Sequence, residues 1–133
     1  MEKLSKSTNA LNWFEIPVRD MTRAKKFYEE AFGIEMQEMN MMNMQMAMFP
    51  SQSPHSGGAL VKSDYHKPSA EGAIIYLNGN PDLQLVLDRI NGAGGQITMP
   101  KPISTPIQAI WLSLWIRKAI CWVYILINKV LRS

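Results

Sequence analysis

WFEIPVRDMTRAKKFYEEAFGIEM, residues 13–36, reads as strand, cap, amphipathic helix and stop in a single run. The opening residues 12–18 (NWFEIPV) are aromatic and β-branched, as a strand requires. Asp20 is placed as an N-cap, and Met21, Ala24, Phe27 and Ala31 then recur at helical spacing. Gly33 stands where a helix ends in a left-handed residue. Outward from this run, residues 34–41 and 42–49 read as two strands and residues 50–58 (PSQSPHSGG) as a loop. Residues 59–62 (ALVK) form a further short strand.

A polar linker, residues 63–71, leads to a second run, IIYLNGNPDLQLVLDRINGAGGQITMPK, residues 74–101. Residues 73–77 (AIIYL) read as a strand, and Asn80-Pro81 as a helix start. Leu83, Val86, Leu87 and Ile90 form a helical stripe, and residues 96–99 (QITM) begin a strand. Asp20 to Gly33 and Asp82 to Gly95 share a thirteen-residue separation. Two units of one pattern are the signature of a duplicated supersecondary element, whose copies together close a core that neither closes alone. The expected organisation is a disordered segment 1–10 followed by one domain, 11–133. It comprises module one at 11–62, the linker, module two at 72–107, and an atypical tail at 108–133.

Composition narrows the class. The chain has 133 residues, 47% hydrophobic and 19% charged, which is enough for one packed core. One cysteine, Cys121, leaves no intramolecular disulfide, and the expected compartment is a reducing cytoplasm. The net charge of +3 is unevenly spread: residues 1–107 carry ten Lys/Arg against eleven Asp/Glu, while residues 108–133 carry four basic residues and no acid. The body therefore lacks the basic stripe of a nucleic-acid binder.

The quoted runs, with AMFP (residues 47–50) and GGAL (residues 57–60), resemble a bacterial branch of the vicinal-oxygen-chelate superfamily, the glyoxalase/bleomycin-resistance/dioxygenase group. The resemblance covers about residues 10–106. It implies an α+β fold of paired βαβββ modules forming a curved eight-stranded sheet, frequent homodimers, and a pocket on the concave face. It also implies activities that range from hemithioacetal isomerisation to plain drug sequestration.

The superfamily's metal positions fall near Trp13 and Ile74 and on the strands that close each module; none of these offers a ligand for a divalent ion. No metal or other cofactor is expected, with a divalent ion through Glu15 as the alternative. Strand alternation puts Trp13, Glu15 and Pro17 on one face, with Phe14, Ile16 and Val18 on the other. The resemblance selects the first set as pocket-facing, mirrored by Ile74, Tyr76 and Asn78. Met44, Met46 and Met48 alternate onto one strand face, where adaptable packing or copper(I) ligation are the two readings.

The expected function is metal-independent binding of a small apolar or aromatic molecule. One alternative is a lyase or isomerase related to lactoylglutathione lyase, with Glu15 and Tyr76 as acid/base; another is an inert interaction module. His55 and His66, in loops among Ser, Pro and Lys, are expected to be solvated.

The tail departs from this pattern. Residues 108–133 hold no Gly, Pro, Met or acid but three tryptophans, Trp111, Trp115 and Trp122. As a membrane span, residues 109–127 would place Arg117 and Lys118 in mid-bilayer at about 2.5–3.5 kcal/mol each, so strands or a helix laid on the sheet are expected instead. The genetic code suggests another origin. Reading each codon's last base with the next two, Trp115–Ile116 forces Asp, Cys121–Trp122 forces Leu and Trp122–Val123 forces Gly. The family-like ending FMDTEGNMLGLHS is then permitted, so a frameshift near Gln108 is the expectation. An uninterrupted frame across that codon in independent isolates would refute it.

Overall fold

A computed structural model describes residues 3–68, 75, 77–78, 83–97, 109–116 and 123–128. Its elements are β1 (Trp13–Pro17), α1 (Met21–Phe32), β2 (Gln37–Met41), β3 (Met44–Met48), β4 (Gly57–Lys62), α2 (Leu83–Ile90), β5 (Gly95–Ile97), β6 (Ala109–Ile116) and β7 (Val123–Asn128). The fold is α+β.

α1 begins and ends where its sequence provides for it. The Asp20 carboxylate accepts the Arg23 backbone N–H at 3.1 Å, satisfying one of the orphan donors of the first turn. Gly33 closes the helix at φ 64°, ψ 42°, a conformation that costs glycine little. Its buried face is Met21, Ala24, Phe27, Tyr28 and Ala31. Arg89 of α2 lies beside this C-terminus: a Cβ on Gly33 would come within 3.0 Å of its Nη1. A guanidinium there complements the negative end of the helix dipole.

β1 to β4 form one sheet in the order β1-β4-β3-β2. β1 pairs parallel with β4, while β3 pairs antiparallel with both β2 and β4. With α1 between β1 and β2, this is a complete βαβββ module. Among the described residues β1 is an edge of the sheet, a position that tolerates Pro17. The helix-side core gathers Ile16, Ala47 and Leu60 from the sheet, the buried face of α1, and Leu77, Val86 and Ile90 from the second module.

Several expected boundaries move. The strand expected from residue 34 starts at Gln37, because the Ile34 N–H bonds the Glu29 carbonyl at 3.2 Å and the Met36 N–H bonds the Glu29 carboxylate at 3.0 Å. These donors finish the helix instead of joining the ladder. Met42 and Asn43 form the hairpin turn with φ of 49° and 63°, so β3 starts at Met44. The last strand of the module extends back through Gly57 and Gly58, whose missing side chains leave room for the rings of Trp13 and Phe14.

In the second module, α2 spans Leu83–Ile90, with Val86 and Ile90 buried. Asn80, Pro81 and Asp82 lie outside the described residues. Ile75, Leu77 and Asn78 belong to no strand, contrary to the reading of residues 73–77. Leu77 is buried by packing into the helix-side core rather than by ladder pairing. Among the described residues, seven strands fall into the four-stranded sheet and a three-stranded sheet, β5-β6-β7. Two of its strands come from the tail. β6 and β7 pair antiparallel from Ala109↔Asn128 to Leu114↔Val123, and β6 takes β5 on its other edge. β-branched and aromatic content suits that part of the tail to strands. No helix among the described residues is long and apolar enough to cross a membrane.

Candidate functional site

Strand pairing decides which side chains share the sheet face opposite α1. Glu15 pairs with Ala59 and Pro17 with Val61 in the parallel ladder. Met46 pairs with Val61, Met48 with Ala59 and Met41 with Met44 in the antiparallel ladders. Directly paired residues point to the same side. Met46, Ala59 and Val61 accordingly form a second apolar cluster, with Met44 and Met48 packed against it. Helix-side residues alternate with these, as Phe14, Ile16, Ala47 and Leu60 show. Trp13 lies over Gly57, where an added Cβ would come 3.2 Å from Trp13 Cζ3. Its residual exposure is 40%, so its indole is available for contact.

The expected site residues of the first module thus lie on one face: Trp13, Glu15 and Pro17 beside Met44, Met46 and Met48. Ile74 and Tyr76 lie outside the described residues. Asn78 is exposed and belongs to no strand. The face continues toward the β2–β3 turn, where Met41, Met42, Met44, Gln45, Lys62 and Ser63 are among the residues lining an open cleft of about 580 Å³.

The polar centre of the face involves a residue expected to be solvated. His66 is instead bonded through both ring nitrogens: Nε2 lies 2.6 Å from Glu15 Oε2 and Nδ1 lies 2.7 Å from Ser63 Oγ. Ser63 Oγ also accepts the backbone N–H groups of Tyr65 and His66, each at 3.1 Å. A hydroxyl oxygen has two lone pairs and one proton. The ring thus bridges the Glu15 carboxylate and the Ser63 turn, with Ser63 Oγ shared between Nδ1 and the two backbone amides. Trp13 Nε1 makes a longer contact of 3.4 Å with Glu15 Oε1. The side chains of His66 and Glu15 are 22% and 35% exposed.

This explains the failed expectation for His66. Glu15 and His66 are 51 residues apart, and no local pattern pairs them. A usable signal was Ser63, three residues before His66, in a spacing that favours a serine-capped turn and fixes the ring's approach. His55 is exposed, with its backbone N–H bonded to the Gln52 carbonyl at 2.9 Å.

A divalent ion needs several converging donors. Glu15 and His66 are adjacent but bonded to one another, while the neighbouring β4 positions on this face are Gly57, Ala59 and Val61. Among the described residues no three His, Cys, Asp or Glu side chains converge. Protein-bound catalytic zinc takes three such ligands, and thioethers are too soft for a hard ion. The described residues do not fit a resident divalent metal.

Residues 11–50 match the family model described as bleomycin resistance protein-like N-terminal. No curated protein matches the sequence. A mutant of glyoxalase I from Zea mays superposes with a TM-score of 0.65 at 19% identity, covering 87% of this chain and 45% of that one. The chain thus spans about half the length of the maize protein. A glyoxalase/bleomycin resistance protein from Albidiferax ferrireducens gives a TM-score of 0.63 at 13% identity, covering 91% of this chain and 100% of its own. The antibiotic binding protein TnmS3 from a Streptomyces species gives 0.59 at 18%, covering 94% and 98%. At these identities the likeness is one of fold.

Proposed function

We propose that this chain, which has the vicinal-oxygen-chelate fold and a first module of the bleomycin-resistance type, binds a small apolar or aromatic molecule without a resident metal. The observation that carries this reading is the single sheet face that holds Trp13 and Glu15 on β1 and Met44, Met46 and Met48 on β3, with the buried Met46, Ala59 and Val61 as its apolar floor. Thioether side chains adapt to irregular shapes and make favourable contacts with aromatic edges, and an indole offers a flat stacking surface. Metal independence is supported by the chemistry of the donor set. Antibiotic binding by a protein of the same fold is consistent with sequestration. A cytoplasmic homodimer belongs to the same reading; β2, an exposed sheet edge, supports a second copy.

A specific observation favours a second reading, that of a lyase or isomerase. Glu15 sits on the ligand face with His66 donating to it, and a carboxylate so held is placed to accept a proton from a bound molecule. Tyr76, its expected partner in that role, lies outside the described residues.

Chelator-treated protein, verified by elemental analysis, should show a raised Tm with planar aromatic compounds. Stabilisation of about 2.7 kcal/mol is expected at a hundredfold excess over Kd. Stabilisation that requires added zinc, nickel or iron at one ion per chain would overturn the metal-free reading. Turnover of a hemithioacetal, lost in Glu15→Gln, would establish the second reading.

A further inference from the structure

We propose that the β2–β3 hairpin is a reversible methionine-oxidation site, where a hydroperoxide converts the thioethers of Met39, Met41 and Met42 to sulfoxides while the buried methionines stay reduced. A loss of apolar affinity follows, and that consequence rests on the reading of the adjoining face as a binding surface; the site itself does not.

The fold sorts its methionines by access. Met21, Met36 and Met46 are 7%, 4% and 6% exposed, whereas Met39, Met41 and Met42 are 48%, 45% and 86% exposed. Met39 and Met41 alternate onto one face of β2, a strand with every residue exposed and an edge of its sheet among the described residues. Met42 follows in the hairpin turn at φ 49°, outside the ladder. Such turns favour Asn and Gly, and exposed edges favour charge. None of the three joins either apolar cluster of the described residues, so packing does not account for them.

Methionine oxidation follows access, because the oxidant has to reach a sulfur lone pair. That pair attacks one peroxide oxygen and the O–O bond breaks. After proton transfer the other oxygen leaves as water or an alcohol. Sulfur is oxidised by two electrons and the peroxide is reduced by two. The product is polar and chiral, and sulfoxide reductases return it to the thioether, one enzyme for each epimer. Met41 and Met42 line the open cleft beside Asn43, Gln45 and Lys62. The new oxygens therefore enter a wall that already carries amide and ammonium donors. Both apolar clusters are untouched, so the oxidised hairpin keeps its fold. Its cleft wall becomes polar, which opposes an apolar ligand.

The test adds limiting hydrogen peroxide to the full chain, quenches it with free methionine and maps the peptides by mass spectrometry. Met42, Met41 and Met39 should oxidise first. Met21, Met36 and Met46 should lag at least about tenfold, because their sulfurs are reached only through local opening. In urea the difference should vanish. The chain oxidised at the hairpin should keep its melt, and the two sulfoxide reductases together should restore its mass. Oxidation of Met21, Met36 or Met46 at the rate of Met42 in the folded chain would overturn the site, as would a melt lost with sulfoxides at the hairpin alone. A mass that the reductases leave unchanged would overturn its reversibility. The neutral probe 9-anthracenemethanol should bind the oxidised chain about tenfold more weakly, the effect of polar groups set against an apolar ligand. The combined variant Met39→Leu, Met41→Leu and Met42→Leu should keep its affinity after the same treatment. Equal affinity of the unmodified chain before and after peroxide overturns the effect on binding and leaves the oxidation site to the peptide map. No binding by the untreated chain overturns the ligand reading instead. The peptide map uses the unmodified chain, so it does not depend on how the variant folds.

Discussion

Replacing Phe27 by alanine should destabilise the chain by about 3–5 kcal/mol in urea unfolding. That is about a fifth or more of the total stability of an ordinary domain, which is about 5–15 kcal/mol. The ring is 1% exposed and meets Tyr28 edge-on at 5.1 Å between centroids. It also carries the second module: a Cβ on Gly95 would lie 2.5 Å from Phe27 Cε2 and 2.9 Å from Ile90 Cγ2. The β5 backbone thus rests directly on this ring, and truncation leaves a cavity between α1, α2 and β5. A loss below about 1 kcal/mol would mean that the two modules are not joined through Phe27.

Trp13→Ala should act in the opposite way, leaving stability nearly unchanged while lowering aromatic-ligand affinity about 30-fold. The stability effect is small because the side chain is already 40% exposed and Gly57 beneath it has no side chain to lose contact. The affinity effect is large because a tryptophan at the centre of a contact contributes about 2 kcal/mol or more, and 1.4 kcal/mol is tenfold. Calorimetric titration of both proteins checks the affinity, and their melts check the stability. Equal affinities would remove Trp13 from the site.

The first module was legible because its signals are local. Asp20 and Gly33 bracket α1 by cap chemistry, and the helical period picks out Met21, Ala24, Phe27 and Ala31. Tyr28 is buried as well, an extension of the same stripe that the spacing of the other four did not require. Period-two alternation likewise separated Trp13, Glu15 and Pro17 from Phe14 and Ile16 before any pairing was known. What sequence could not supply was contact between distant segments. The Glu29 carboxylate capturing the Met36 N–H delays β2, and the Glu15–His66 bond spans most of the first module. Both depend on where folded elements lie, not on residue spacing. In the second module the apolar run 73–77 signals burial, and Leu77, the buried residue described there, packs into the helix-side core.

The central claim is that an apolar, methionine-bearing sheet face around Glu15 is where this chain holds its ligand, with no metal taking part. Methyl-selective NMR of methionine-labelled, chelator-treated protein tests it most directly, since ten methionines report from distinct places. Adding a planar aromatic ligand should move the methyl resonances of Met44, Met46 and Met48 by ring-current effects and leave Met21 and Met36, in the helix-side core, in place. Unmoved Met44, Met46 and Met48 resonances under saturating ligand, or movement only after a divalent ion is supplied, would contradict it.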